Sequence, residues 1–158
     1  MIKAFVVDNA RLRPAEFSQN ADAVIWADLL NPTRDEEKLI EAWLGAEVPT
    51  REEMEEIEVS SRLYIENGIS FMTASLPSQA DGDTPVMSPV TFVLAGKRLV
   101  TIRYHEPRAF HTFPLRAEKA DIGCTTGETI LITLLEAIVD RLADVLERAS
   151  RDVEAISK

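Results

Sequence analysis

Apolar and polar positions along this chain switch between a period of two and a period near 3.6. Short β-branched and aromatic runs at 2–7 and 23–30 read as strands, the second stopped by Asn31-Pro32. Thr33 and Glu36 then have the spacing of a capping box, and the helix that follows puts Leu39, Ile40, Trp43 and Leu44 on one face, with Gly45 as its stop. Thr50 and Glu53 repeat the device, and Met54, Ile57 and Val59 give that second helix a short apolar edge. Residues 62–64 and 69–76 read as strands joined through Glu66-Asn67-Gly68, because Asn-Gly is a strong hairpin signal. Residues 77–89 read as a polar loop. A second hairpin joins 90–94 to 98–104 around Ala95-Gly96-Lys97, and 107–120 reads as a helix containing Pro114.

The last segment carries the longest pattern. Thr125 and Glu128 have the spacing of a third capping box. Leu131, Leu135, Ile138, Leu142, Val145 and Ala149 recur at heptad-like spacing, and Val153 and Ile156 continue the stripe after a one-residue slip. A continuous helix here would be about 45 Å long at 1.5 Å per residue. The stripe is still running at Lys158, which predicts that the natural protein continues. Two hairpins demand antiparallel pairing, and helices between strands allow parallel neighbours. The expected fold is therefore α/β: a mixed parallel and antiparallel sheet covered by helices, an α/β/α sandwich with a long C-terminal helix. The expected division is a domain at 1–124 and the start of a long helical region at 125–158.

Composition narrows the function. The chain has 158 residues, 46% of them hydrophobic and 28% charged, enough for one core. Its formal charge of −10 should repel nucleic acid, and its basic residues are scattered. A single cysteine, Cys124, excludes an internal disulfide. No run of about 18 apolar residues is present to span a membrane. The charge is uneven: residues 34–58 hold ten acids against three bases. Clustered acids in first turns suit the positive ends of helix dipoles. They also make an electronegative surface that hard divalent cations favour.

Much familiar chemistry is absent. There is no phosphate-binding glycine loop, no dinucleotide fingerprint and no nucleophile elbow. His105 and His111 are six apart and read as surface residues; a zinc site with Cys124 would need both. Cys124 reads as a small apolar residue near a helix start, where its pKa could fall. Trp26, Trp43, Phe71 and Phe92 read as core. Nothing marks an enzyme.

The order of these local patterns resembles the amino-terminal half of the CorA family of divalent-cation transporters. The residues that carry the resemblance are Asp28-Leu29-Leu30-Asn31-Pro32-Thr33, then Val48-Pro49-Thr50-Arg51-Glu52-Glu53-Met54-Glu55-Glu56-Ile57-Glu58, then Ser61-Arg62-Leu63-Tyr64. Pro89-Val90-Thr91-Phe92-Val93-Leu94, Leu99-Val100-Thr101-Ile102-Arg103-Tyr104, Glu106-Pro107 and Leu135-Glu136-Ala137-Ile138-Val139-Asp140 continue it over nearly the whole chain.

The resemblance implies a domain on the cytoplasmic side of the cell inner membrane, followed by a helical stalk and two membrane spans with a Gly-Met-Asn signature. This sequence has neither spans nor signature, so the expected role is regulation rather than conduction. In the family a regulatory Mg²⁺ lies between subunits of a homopentamer, and the acidic pair before an isoleucine best matches Glu55 and Glu56. The implied metal residues are Glu55, Glu56 and Glu52, as half of a weak Mg²⁺ site completed by a neighbouring subunit. By itself the chain is expected to be a monomer or a weak dimer through its last helix. It is expected to bind no nucleic acid and to meet the membrane only through missing C-terminal parts. Two alternatives stay open: the similar soluble domain of a ZntB-type zinc transporter, and an interaction module whose acids serve solubility alone.

Overall fold

The computed structural model describes residues 1–56, 62–79 and 84–157. In chain order the elements are β1 (Ile2–Asp8), β2 (Arg11–Ala15), α1 (Phe17–Asn20), β3 (Val24–Leu30), α2 (Arg34–Leu44) and α3 (Arg51–Glu56). They continue with β4 (Leu63–Glu66), β5 (Ile69–Ser78), β6 (Val86–Ala95), β7 (Arg98–Arg103), α4 (Ala109–Lys119) and α5 (Gly127–Ser157). The strands form one seven-stranded sheet in the order β2-β1-β3-β7-β6-β5-β4. Only β3 and β7 pair in parallel, and every other neighbour is antiparallel. The sheet is mixed, as its sequence implies.

Alternation along the strands sorts side chains to two covered faces. Phe5, Trp26, Leu99 and Phe92 face α4 and α5, where Phe110, Phe113, Ile130 and Leu134 meet them. Val6, Ala27, Val93 and Val100 face the other way, onto Ile40 and Leu44 of α2 and Met54 of α3. Helices cover both faces of the sheet, which completes the α/β/α sandwich. Trp26 anchors the first layer. It is fully buried, stacks on Phe5 at 4.7 Å and packs on Phe113 at 5.8 Å.

Two capping boxes form as their spacing predicts. The Glu36 N–H donates to Thr33 Oγ1 at 3.2 Å, and the Thr33 N–H donates to Glu36 Oε1 at 3.0 Å. Thr50 and Glu53 make the same reciprocal pair at 3.2 and 3.3 Å. Gly45 ends α2 with φ 81° and donates its N–H to the Glu41 carbonyl, a left-handed cap that glycine adopts without a Cβ penalty.

Several expectations change. The third capping box is shifted by one residue: Thr126 and Thr129, not Thr125 and Glu128, exchange the N-terminal hydrogen bonds of α5. The expected stripe on α5 packs at Leu131, Leu135, Ile138 and Leu142, whereas Ala149, Val153 and Ile156 are exposed. Ile130, Leu134 and Ile138 point into the core, whereas Ile132, Val139, Leu146 and Val153 are exposed at seven-residue intervals. Of that exposed row, the sequence pattern had named Val153 alone. Leu39 is 48% exposed rather than packed, and Trp43 is half-buried, its indole N–H donating to the Ala21 carbonyl at 2.8 Å.

The strands hold more of the chain than expected. β2 had no apolar alternation to show it, since Arg11–Ala15 offers only Leu12 to the core. A two-residue turn with positive φ at Asn9 and Ala10 pairs it with β1. The stretch read as a loop over 77–89 is strand at both of its ends, because β5 runs to Ser78 and β6 starts at Val86. Pro77 and Pro89 suggested a break, yet both are tolerated. Among the described residues, Pro77 has no partner on the β4 side, and Pro89 lies beyond the end of β7, so each pairs there with one described strand. Asp81-Gly82-Asp83, Ile57 and Val59 lie outside the described residues.

Candidate functional site

The three acids singled out by sequence share one short helix. α3 is capped by Thr50, and Met54 fixes its rotation by burying at 2% exposure against the sheet. That rotation leaves Glu52, Glu55 and Glu56 exposed. Glu52 and Glu56 are four apart and so neighbours on one helix face, while Glu55 lies three from Glu52. Among the described residues, Glu55 is the one of the three in an ion pair, accepting from Arg51 Nε at 3.2 Å. Arg51 in turn lies over the Tyr104 ring, 4.8 Å from its centre. Burial, and after it the charge of Glu37, pushes the Tyr104 phenol above its ordinary pKa; Glu52 and Glu55 push the same way.

The neighbouring helix extends the negative surface. Arg34 donates to Glu37 at 2.9 Å and to Glu41 at 3.3 Å, so part of the α2 charge is neutralised internally. The chemical fit to a hard cation is clear but incomplete. Carboxylate oxygens are the donors Mg²⁺ favours, and it often binds through one or two of them with several waters kept. Among the described residues no cluster of three or more His, Cys, Asp or Glu is placed to hold a metal. α3 therefore offers a partial ligand set.

His105, His111 and Cys124 do not form a zinc site, since among the described residues no cluster of three or more His, Cys, Asp or Glu is placed to hold a metal. His105 is buried, contrary to the surface position expected, and its Nε2 lies 2.7 Å from the Leu76 carbonyl. His111 is exposed on α4, and Cys124 is packed in the core on the α4–α5 side. Burial pushes the Cys124 thiol up, opposite to the lowering expected near a helix start.

A buried polar network joins residues of β3 and β7 that lie more than seventy positions apart. Arg103 donates to Asp28 through Nη2 at 2.8 Å and through Nε at 3.1 Å. Thr101 Oγ1 donates to Asp28 at 2.8 Å and accepts from the Trp26 indole N–H at 3.0 Å. The remaining guanidinium nitrogen reaches the His105 carbonyl at 2.9 Å, and the Arg103 guanidinium lies 4.7 Å from the centre of the Phe110 ring. The signal was present as polar residues in two apolar strand runs, at positions that parity puts on one face. The parallel β3–β7 register, which brings them together, is not written in either run alone.

Comparisons with known proteins align with this architecture. The family model described as "CorA-like Mg2+ transporter protein" matches residues 21–158. "Magnesium transport protein CorA" of Pectobacterium atrosepticum is 34% identical over 161 aligned residues, covering all of this chain and 51% of the relative. The protein of the same name from Escherichia coli K12 is 30% identical, with the same coverage. The chain thus spans about half the length of the curated relatives it matches. Among solved structures, the complete CorA magnesium transporter of Methanocaldococcus jannaschii superposes with a TM-score of 0.73 at 12% identity, over 99% of this chain and 50% of that one. Full-length CmaX gives 0.72 at 14% identity, over 99% of this chain and 50% of that one. At those identities the superpositions establish a shared fold.

Proposed function

This chain belongs to the CorA-like Mg²⁺ transporter family, and from that premise we propose that it is the regulatory, Mg²⁺-sensing part of a homopentameric magnesium channel on the cytoplasmic side of the inner membrane. The pore lies outside the chain in this reading. No described helix is long and apolar enough to cross a membrane. The chain carries no catalytic role.

The observation that carries the sensing role is the rotation of α3, which buries Met54 and turns Glu52, Glu55 and Glu56 to solvent. Acids four apart on one helix repel, and a bound cation relieves that repulsion. Glu56 with Glu55 supplies one half of the site, Glu52 supports it, and a neighbouring copy supplies the other half. Few ligands and retained waters make such a site weak, so its occupancy follows free Mg²⁺ in the upper physiological range. Metal then holds neighbouring subunits in the closed arrangement. In isolation the chain is a monomer or a weak dimer joined through the exposed stripe of α5.

Titration of the chain with MgCl₂, followed by amide shifts in NMR spectra, tests the reading. Saturable shifts centred on α3, lost in Glu55→Gln plus Glu56→Gln, are expected. Shifts that never saturate, or that survive both substitutions, would sink it.

A further inference from the structure

The two edges of the sheet are unlike. β2 ends one side with Arg11, Arg13 and Pro14, charges and a proline that discourage another strand from joining. β4 ends the other side with no proline or lysine, and its Leu63 and Ile65 are 68% and 73% exposed. The Thr73 N–H donates to the Arg62 carbonyl at 2.8 Å, so Arg62, just ahead of β4, turns its carbonyl towards β5. Alternation gives Tyr64 and Glu66 the same direction, and it leaves the N–H and C=O groups of Leu63 and Ile65 pointing outwards. The same parity sorts the side chains. Tyr64 stacks on Phe71 at 4.8 Å, which puts it with Arg62 and Glu66 on the α2–α3 face, while Leu63 and Ile65 share the opposite face beside Met72. Among the described residues neither Arg62 nor Glu66 is in an ion pair, and Arg62 Nε is buried without a hydrogen-bond partner.

We propose that the outer edge of β4 pairs antiparallel with β4 of a second copy of this chain, about a two-fold axis at Tyr64. The strand is complementary to itself. In that register Arg62 lies opposite Glu66 of the second copy, Leu63 opposite Ile65, and Tyr64 opposite Tyr64, and the two-fold axis repeats each pair. Both charges thus gain a partner of opposite sign, and the apolar side chains meet on one face. Leu63 and Ile65 exchange backbone hydrogen bonds across the axis, and the Tyr64 pair falls at the closer, non-hydrogen-bonded spacing. A register shifted by two residues, the next that keeps the outward groups in line, sets Arg62 or Glu66 opposite Tyr64 and separates the charges. The chain's formal charge of −10 opposes self-contact, but this stretch carries one acid and one base. So short an edge is far smaller than a standard interface, so it does not hold dilute chains together and acts where chains are already gathered. A two-fold contact has no place inside a five-fold ring, so in the assembly proposed above it joins chains of separate rings. It needs neither the α3 acids nor the α5 stripe, and its failure leaves both readings untouched.

Disulfide trapping tests the register. Tyr64→Cys brings two thiols across the axis at the spacing of directly opposed residues, about 4.5–5.5 Å between Cβ atoms, whereas Leu63→Cys leaves them out of line at about 7–8 Å. Both are made with Val139→Glu plus Leu146→Glu in place, so that α5 takes no part, and the native Cys124 is fully buried and does not compete. Under mild oxidation Tyr64→Cys should cross-link at least about tenfold faster than Leu63→Cys. Adding Arg62→Glu should slow the Tyr64→Cys reaction severalfold. Adding Glu66→Arg as well should restore it, since the reversed pair is again complementary. Equal rates from the two cysteines, or a double reversal no faster than the single one, would overturn the proposal. Melting temperatures check that each variant folds. If Tyr64→Cys does not fold, concentration-dependent amide shifts of Leu63 and Ile65 in NMR spectra read the same charge series. Shifts that are absent, or that Arg62→Glu leaves unchanged, overturn the proposal equally.

Discussion

Asp28 and Arg103 meet at 2.8 Å across the parallel β3–β7 pair, each only 2% exposed. The pair joins the one parallel contact in an otherwise antiparallel sheet, and it does so beneath α4. Removing one partner leaves a buried charge uncompensated, which typically costs about 3–5 kcal/mol. Asp28→Ala should therefore destabilise the chain by about that much in urea denaturation. Replacing both by apolar residues, Asp28→Leu with Arg103→Met, should recover most of the loss. A double variant as unstable as the single one would show that the charges themselves, and not their pairing, set the stability.

Gly127 stands where α5 approaches the β6–β7 turn. Its N–H donates to the Lys97 carbonyl at 2.7 Å, and a Cβ built there would lie 2.7 Å from that same oxygen and 2.9 Å from the Arg98 carbonyl carbon. Those neighbours are backbone and cannot swing aside. Gly127→Ala should cost about 1–3 kcal/mol, the range of an overpacked core site, despite alanine's better helix propensity. A melting temperature at or above that of the unmodified chain would show that α5 can shift to admit the methyl group.

These two sites mark what sequence alone could and could not show. Capped helices and hairpins were legible because their signals are local: Thr33 with Glu36, Thr50 with Glu53, and Asn67-Gly68 each act within a few residues. The partners of Asp28 and the neighbours of Gly127 are set by β3–β7 pairing and by the docking of α5, contacts separated by tens of residues. Pro77 and Pro89 misled for a related reason. A proline breaks a strand only where a neighbour needs its N–H, and that depends on where β4 and β7 end. For the acids on α3, residue type and helix were legible. The rotation set by Met54 and the tie between Arg51 and Glu55 needed the fold.

His105 should titrate below an ordinary histidine. Burial lowers its pKa first, the bond to the Leu76 carbonyl raises it, and Arg103 lowers it again. The folded value thus lies beneath the unfolded value of about 6.5. Between the two, the unfolded chain binds the extra proton, so stability is full above about pH 6.5 and falls as pH drops towards the folded value. Denaturation midpoints across that window should fall less in His105→Gln. An NMR titration placing His105 at or above the ordinary histidine value would contradict the sign.

The exposed stripe on α5 should govern self-association. Val139 and Leu146 are 61% and 70% exposed and seven residues apart, in a row with Ile132 and Val153. Apolar residues repeating at that interval favour a second helix alongside. Sedimentation should show weak, concentration-dependent dimerisation that Val139→Glu plus Leu146→Glu removes without unfolding the chain. Dimerisation unchanged by those substitutions would move the contact to another surface.

The acids of α3 should not contribute equally to Mg²⁺ binding. Glu55 is shared with Arg51, so a cation competes with a guanidinium for it, whereas Glu56 faces no such rival among the described residues. Arg51→Gln should free Glu55 and strengthen Mg²⁺ binding modestly, by about two- to threefold if the exposed pair contributes less than about 1 kcal/mol. Glu56→Gln should weaken binding more than Glu52→Gln does. NMR titration of the three variants checks the order. Tightened binding in Arg51→Gln together with loss in Glu56→Gln would distinguish a site at the C-terminal end of α3 from general attraction of cations to a surface that also holds Asp35 and Glu53. Equal losses in all three would fit the general attraction and count against a defined site.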